Sequence, residues 1–277
     1  MTEPEIAAPA PAPVAPAHEV TSSKVVQTRG LSKSYGQAEV VKSLDFDLGA
    51  RERVALIGPS GCGKTTVLRM VMGLERPTGG TVQIDGAQLW HRQVGEKLVP
   101  AREKDLRRVR SQVGMVFQQF NLFPHMTALQ NVLEGPLHVR KLPKPEAVEL
   151  ARHMLELVGL AQHMDKRPGQ MSGGQQQRVG IARALAMQPK VMLFDEVTSS
   201  LDPERVGEVL RVIREIADST EIAMIIVTHE MRFAERMSDR VLMFDGGQVV
   251  EEGLADQIFH NPQEERTRKF LNALHQE

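Results

Sequence analysis

The feature that most constrains this chain is a glycine-rich loop between an apolar run at residues 54–57 and a helix-like stretch at residues 65–72. Glycines let the backbone curl so that successive N–H groups point into one concavity, and the positive N-terminal end of the following helix faces the same space. The lysine adds a mobile positive charge, and the threonine after it supplies a hydroxyl suited to Mg²⁺. The loop residues are Gly58, Pro59, Ser60, Gly61, Cys62, Gly63, Lys64, Thr65 and Thr66. The pattern predicts a nucleotide-binding loop; an ordinary strand-to-helix turn is the alternative.

The chain as a whole excludes several classes of protein. Its 277 residues are enough for a substantial core, and a net charge of −1 gives no overall attraction to nucleic acid, so no nucleic-acid partner is expected. The single cysteine, Cys62, cannot form an internal disulfide and is expected to fill space within the loop. The longest apolar stretch, residues 222–227, is too short to span a bilayer. Any work at a membrane therefore needs another protein as its anchor.

Composition divides the chain into a tail and one domain. Residues 1–23 are rich in alanine and proline without a periodic apolar face, which predicts a disordered or polyproline-like tail. Strands are predicted at residues 25–31, 40–48 and 53–57, with turns at 33–36 and 49–51, so an antiparallel layer precedes the loop. Residues 91–100 read as irregular, and residues 127–160 as helical but interrupted at Gly135–Pro136 and Pro143. The domain is predicted to span residues 24–277, with an inserted helical subdomain at about 119–186.

Strands and helices alternate through the rest of the domain, which indicates a mainly parallel sheet. In such sheets ligands bind at the carboxyl edge of the strands. Gly58, Gln118, Asp195 and His229 all follow predicted strands and should lie along this edge. The predicted fold class is therefore α/β: a P-loop NTPase core with a mainly parallel sheet, an N-terminal antiparallel β layer and an inserted α-helical subdomain.

Two acidic residues at the end of a buried strand suggest Mg²⁺ binding and activation of water. Asp195 follows four apolar residues, so its carboxylate is expected beside the phosphate loop, where it can hold Mg²⁺ through water, together with Thr65. Glu196 is placed next to it and is the predicted general base that polarises a water for attack on a γ-phosphate. The alternative for this pair is an acidic helix cap.

A second glycine-rich turn has the anion-binding features of the first but lacks a lysine. Ser172, Gly173, Gly174 and Gln175 precede a predicted helix, and they offer a hydroxyl, close backbone approach and a helix N-terminus. A glycine-rich helix cap is the alternative. Two anion-binding turns but only one lysine-bearing loop suggest that the second turn serves a nucleotide held by another chain.

Taken in order, these motifs resemble those of the ATP-binding subunits of ABC transporters, over about residues 24–275. Residues 58–65 are similar to the Walker A loop, residues 172–175 to the ABC signature, and residues 191–196 to the Walker B strand with its catalytic glutamate. Gln118 is similar to the Q-loop glutamine, residues 200–202 to the D-loop, and His229 to the switch histidine. The chain departs from the common family pattern at Met171, Val197 and Ser200, and none of these removes a charge or hydroxyl from the site.

The resemblance implies roles that single residues would not. His229 would contact the γ-phosphate, and Gln118 would contact Mg²⁺ and the attacking water. Tyr35, the only tyrosine, lies where the family stacks an aromatic ring on adenine, and Asp202 of the D-loop joins the nucleotide-binding residues. Taken alone, the histidine would be a structural residue, the glutamine a surface amide and the tyrosine a turn residue.

The resemblance also implies partner proteins and a cellular location. It implies a head-to-tail dimer that uses ATP and Mg²⁺, in which Lys64 of one copy and the Ser172 turn of the other hold the same ATP. Integral membrane permease subunits would receive the motion through residues 119–125 at the cytoplasmic face of the membrane, and an extracytoplasmic solute-binding protein would take part indirectly. An ABC ATPase of an exporter or of a non-transport mechanical complex is the alternative.

Within the family, residues 117–127 and 261–271 resemble those of importers of polar amino acids. The segment Leu98-Val99-Pro100 resembles the ectoine and hydroxyectoine members. The expected function is therefore uptake of a polar amino acid or an ectoine-like compatible solute. The substrate does not contact this subunit in such systems, so its identity does not follow from these residues.

Overall fold

The computed structural model describes residues 24–274. The predicted tail, residues 1–23, lies outside the described residues, and so do the last three residues of the predicted domain. None of the helices within residues 24–274 combines the length and the apolar character that a bilayer crossing requires.

The described chain forms two sheets and a separate hairpin. A four-stranded antiparallel sheet has the order β2-β1-β4-β5, and a six-stranded sheet has the order β12-β11-β3-β10-β9-β8. In the larger sheet every neighbouring pair is parallel except β11 and β12. The strands are β1 Lys24–Tyr35, β2 Ala38–Gly49, β3 Arg53–Ile57, β4 Gly79–Ile84, β5 Ala87–Gln88, β6 His91–Val94, β7 Lys97–Pro100, β8 Val113–Val116, β9 Val191–Asp195, β10 Ala223–Val227, β11 Arg240–Asp245 and β12 Gln248–Leu254.

Nine α-helices connect or cover these strands within residues 24–274. They are α1 Lys64–Met72, α2 Glu103–Arg110, α3 Ala128–His138, α4 Lys144–Leu157, α5 Gly173–Leu185, α6 Pro203–Ser219, α7 Met231–Met237, α8 Ala255–His260 and α9 Glu265–Leu274. Helices α3, α4 and α5 pack on one another and form the helical insertion between β8 and β9. This arrangement confirms the predicted fold class.

Side chains of β9 show how the parallel sheet separates two cores. Leu193 belongs to the cluster that packs α1 and the antiparallel sheet against the parallel sheet. Met192 and Phe194 belong instead to the cluster shared with the helical insertion and α6. Successive strand residues point to opposite faces, so one fully buried strand serves both cores. A third, smaller cluster joins β3 and β11 to α8 and α9.

Three local predictions were wrong. Residues Lys33–Tyr35 belong to β1, because they pair with Val41, Glu39 and Ala38 of β2. Residues 91–100 are not irregular; they form the β6–β7 hairpin around a turn that includes Gly95.

The third wrong prediction concerned Gly135–Pro136, which does not interrupt α3. Proline removes only one helical N–H bond and stands two residues before the end of α3. Gly135 lets the helix approach the side chain of Met187 closely, since a Cβ there would lie 2.6 Å from the sulfur. Packing against the segment that follows α5 therefore outweighs the local cost of the proline.

Candidate active site

The glycine-rich loop joins β3 to α1 at the carboxyl edge of the parallel sheet, and its shape requires glycine. Gly58, Gly61 and Gly63 have φ values of 145°, 78° and 112°. A Cβ on Gly58 would overlap the carbonyl oxygen of Phe244, and one on Gly63 would lie 2.7 Å from that of Val40. The left-handed backbone turns N–H groups toward one side, the geometry of an anion-binding loop.

The side chain of Lys64 folds back over this loop. It is 4% exposed, and its Nζ donates to the carbonyl oxygens of Gly58 and Pro59, each at 2.8 Å. Only neutral groups accept these bonds, and no carboxylate pairs with this ammonium within residues 24–274. A buried cation without an anionic partner fits an incoming phosphate, because burial strengthens that attraction. Cys62 is buried beside it, with Sγ 3.7 Å from Nζ, and burial raises the pKa of the thiol.

Thr65 and Asp195 meet at the start of α1. Thr65 Oγ1 donates to Asp195 Oδ1 at 2.7 Å, and Asp195 is 5% exposed at the end of β9. Burial raises the pKa of the Asp195 carboxyl, while the hydrogen bond from Thr65 opposes the rise.

This pair of oxygen ligands fits Mg²⁺ rather than a metal held by a protein cage. No group of three or more His, Cys, Asp or Glu side chains placed to hold a metal occurs within residues 24–274. Mg²⁺ commonly keeps several waters and takes one or two protein oxygens together with substrate phosphates. Thr65 and Asp195 offer that kind of donor set beside the phosphate loop.

Glu196 and His229 are brought together although they are far apart in sequence. His229 Nε2 lies 3.0 Å from Glu196 Oε1, and the Glu196 N–H donates to the carbonyl of Val227 at 2.9 Å. Glu196 has φ of 47°, a left-handed conformation that costs energy for a residue with a side chain. This strain turns the carboxylate toward the phosphate loop, where it lines a pocket of about 120 Å³. A carboxylate held there can accept a proton from water.

The pocket contains the loop, Glu196 and one residue that the sequence did not suggest. Its lining is Val40, Gly61, Gly63, Lys64, Thr65, Thr66 and Glu196. Val40 comes from β2, and no signal in the sequence distinguishes it from its neighbours. Gln118 lies in the exposed loop that follows β8, the edge strand that pairs with β9. Tyr35 is 49% exposed at the end of β1.

The second glycine-rich turn does not belong to this pocket. Ser172 caps α5: its Oγ accepts from the N–H of Gln175 at 3.3 Å, and Gln175 Oε1 accepts from the N–H of Ser172 at 3.0 Å. This leaves the N–H groups of Gly173 and Gly174 at an open helix N-terminus. Gly173 lies against Phe120 and Leu201 instead of the phosphate loop. Asp202, with its side chain 80% exposed, also does not line the pocket.

Comparisons with known proteins agree with this geometry. The sequence model of the family described as "ABC transporter" matches residues 41–199. A "Probable amino-acid ABC transporter ATP-binding protein y4tH" from Sinorhizobium fredii is 55% identical over 253 residues, which cover 91% of this chain and 98% of that protein. The "Arginine transport ATP-binding protein ArgV" from Corynebacterium glutamicum is 48% identical over 253 residues, covering 91% and 99%.

A solved structure extends the agreement to three dimensions. It is described as the dimeric structure of a post-hydrolysis state of the ATP-binding cassette MJ0796 bound to ADP and Pi. The two chains align with a TM-score of 0.72 and 30% identity, over 83% of this chain and 98% of the other. This chain therefore belongs to the ABC transporter family and is one of its ATPase cassettes, which bind ATP with Mg²⁺.

Proposed function

We propose that this chain is the ATP-hydrolysing subunit of an importer for polar amino acids. The observation that carries the proposal is the match, at 55% and 48% identity over nearly the whole of each relative, to ATP-binding proteins named for amino-acid and arginine transport. A third relative, 48% identical over 250 residues, is named an L-cystine import ATP-binding protein of Bacillus subtilis. Arginine and cystine differ in charge and size. The relatives therefore support polar amino acids as the class of substrate, and they do not identify one amino acid. The ectoine-like alternative, taken from Leu98-Val99-Pro100, stays a prediction.

At the site, the loop and Lys64 hold the phosphates, while Thr65, Asp195 and Gln118 hold Mg²⁺. When bound, Mg²⁺ neutralises charge on the phosphate oxygens. Glu196 accepts a proton from the attacking water, since its carboxylate lines the pocket and pairs with His229 rather than with a lysine or arginine within residues 24–274. His229 fixes the orientation of that carboxylate through the 3.0 Å contact and faces the γ-phosphate.

The dimer completes the nucleotide site. The Ser172–Gln175 turn begins α5, yet it does not line the pocket of its own chain. A second copy placed head to tail brings this turn, together with Asp202, to the phosphates bound by the first copy. The similar MJ0796 cassette, described as dimeric and bound to ADP and Pi, supports a dimer for this chain.

Membrane subunits receive the motion. The loop at residues 119–125 is largely exposed, and its backbone is attached to α5, which carries the Ser172 turn at its start. A movement of α5 on nucleotide binding is therefore transmitted to this loop, which contacts the permease at the cytoplasmic face of the membrane. An extracytoplasmic solute-binding protein delivers the amino acid to the permease.

Uptake measurements test the proposal directly. Deleting the gene in the source organism is expected to abolish energy-dependent uptake of at least one radiolabelled polar amino acid from a panel that includes arginine, cystine and glutamine. The wild-type gene should restore uptake, and Glu196→Gln should not, because the amide cannot accept the proton. Glu215→Gln, at an exposed position of α6, is the matched control and should restore uptake. Unchanged uptake of the whole panel, or faster loss of preloaded amino acid from wild-type than from deletion cells, would refute the importer.

A further inference from the structure

The end of β1 carries two side chains that point the same way but differ in burial. Lys33 and Tyr35 are two residues apart, which places them on one face of the strand. Lys33 is 8% exposed, whereas Tyr35 is 49% exposed. A buried lysine needs a reason, because removing an ammonium from water is costly unless it is paired.

Three contacts account for the buried ammonium. Nζ of Lys33 donates to the carbonyl oxygen of Arg76 at 2.8 Å and forms an ion pair with the carboxylate of Glu75. It also lies 4.7 Å from the centroid of the Tyr35 ring, within the range of a cation–π contact. The hydrogen bond from Lys33 lowers the pKa of the Glu75 carboxyl, with a smaller contribution from the hydroxyl of Tyr35. Lys33, Glu75 and Tyr35 thus form one connected group.

This group joins the tyrosine to the helix of the phosphate loop. Glu75 belongs to the turn that follows α1, and its N–H donates to the carbonyl of Arg69 in that helix at 3.1 Å. The same turn is fixed to β1, because the N–H of Thr78 donates to the carbonyl of Ser32 at 2.8 Å. The aromatic ring at the end of β1 and the helix that begins with Lys64 are therefore held at a fixed separation.

We propose that Lys33, supported by Glu75, is a positioning residue for the nucleotide base. Its ammonium lies over one face of the half-exposed Tyr35 ring, and in this proposal adenine stacks on the opposite face. The inference rests on the proposed stacking of Tyr35 on the base. Without the cation the Tyr35 ring loses a contact that restricts its rotation. The ring then becomes ordered only when the base binds, and the lost entropy weakens the binding of the base. The triphosphate contacts, made by another segment, remain.

The test separates base binding from phosphate chemistry in the full-length chain. Lys33→Met is expected to raise KM for MgATP about three- to tenfold, the size of one cation–π contact, and to weaken ADP binding in calorimetry by the same factor. The value of kcat should stay within about twofold, because the base is bound equally in the ground and transition states. Lys33→Arg should keep KM near wild type, since a guanidinium also stacks on an aromatic ring. Lys24→Met, an exposed lysine of the same strand, is the matched control.

Two further variants distinguish failure of this inference from failure of the stacking proposal. Tyr35→Leu is expected to weaken ADP binding, and adding Lys33→Met to it should have no further effect, because the cation then has no ring to position. An unchanged ADP affinity in Tyr35→Leu would overturn the stacking itself. If Tyr35→Leu binds weakly but Lys33→Met behaves like wild type, the stacking stands and the role of Lys33 is refuted. A loss of kcat with a lowered melting temperature in Lys33→Met would also refute it, since that marks a structural role.

Discussion

At the scale of one residue, Asp195 shows that a side chain of the site lowers the stability of the nucleotide-free fold. Its carboxylate is nearly excluded from solvent and receives one hydrogen bond, from Thr65. Burial raises its pKa, and the neighbouring charge of Glu196 adds to the rise. A carboxyl with a raised pKa in the folded state favours folding below its unfolded pKa, and this contribution is lost as the pH rises through the folded value. At neutral pH the ionised group therefore opposes folding when no cation is bound.

Asp195→Asn is expected to stabilise the nucleotide-free protein at neutral pH, because the amide can still accept the bond from Thr65 without carrying a buried charge. A gain of about 1 kcal/mol corresponds to a rise in Tm of roughly 2–4 °C for a chain of this size. The gain should shrink as the pH falls through the raised pKa of the aspartate. Thermal unfolding without Mg²⁺ or nucleotide, at several pH values from neutral to acidic, measures it.

The control for this prediction is Asp165→Asn, at an exposed position outside the site, which should leave Tm nearly unchanged at every pH. A lower Tm for Asp195→Asn at neutral pH would contradict the prediction. It would mean that the carboxylate is stabilised in the folded state by its surroundings.

At the scale of elements, the start of α3 fixes the loop that follows β8. Asn131 is fully buried, and its Oδ1 accepts from the N–H of Phe123 at 2.8 Å. Its Nδ2 donates to the carbonyls of Phe123 and Thr127 at 3.2 and 3.0 Å. On the other side of the loop, Arg183 of α5 donates to the carbonyl of Asn121 at 2.7 Å and lies over the Phe123 ring. The exposed loop is thus held between two helices of the insertion.

Asn131→Ala is expected to loosen this loop more than it unfolds the protein. Loss of the amide removes three hydrogen bonds to part-buried backbone groups, which costs about 2–4 kcal/mol in the free energy of unfolding. Amide hydrogen exchange at residues 119–125 should accelerate, while exchange in β9 and β10 should change less. Gln130→Ala, which removes the side-chain oxygen that accepts from the N–H of Thr127, is the control and should cost only about 0.5–1.5 kcal/mol. Unchanged exchange at residues 119–125 in Asn131→Ala would contradict the prediction.

At the scale of the whole molecule, the two anion-binding turns lie in different parts of the chain. The loop that contains Lys64 begins α1 in the nucleotide core, and the turn at Ser172 begins α5 in the helical insertion. Each helix presents an open N-terminus, but only the first faces the pocket of its own chain. A site that needs both turns therefore needs two molecules.

Mixing two inactive variants tests this arrangement. Lys64→Ala removes the cation from the phosphate loop, and Ser172→Glu places a negative charge where the partner's phosphates would lie, so each homodimer should lose nearly all ATPase activity. A mixed head-to-tail dimer has one site with both defects and one with neither. An equimolar mixture should therefore regain activity, up to about a quarter of the wild-type value if half of the dimers are mixed and each working site is independent. Absence of any recovery, with mixed dimers verified by two affinity tags, would contradict the shared site.

Much of the fold followed from local sequence patterns. A fully apolar run marked β9 as a buried strand, and the glycine spacing at residues 58–63 marked the phosphate loop, because both depend on interactions within a few residues. Helical periodicity predicted a helical insertion in the same way. The β6–β7 hairpin was missed because its strands are mostly exposed and lack an alternating apolar pattern.

The sequence by itself determined which residues follow the strands of the parallel sheet and therefore which of them could meet at its carboxyl edge. The tertiary structure alone decided the strand order, with β10 beside β9, and so brought His229 within 3.0 Å of Glu196. It also decided that the ammonium of Lys33 lies under Tyr35 and pairs with Glu75. The physical reason is that hydrophobic periodicity records which face of an element is buried, whereas contacts between distant segments depend on how the sheets and helices pack.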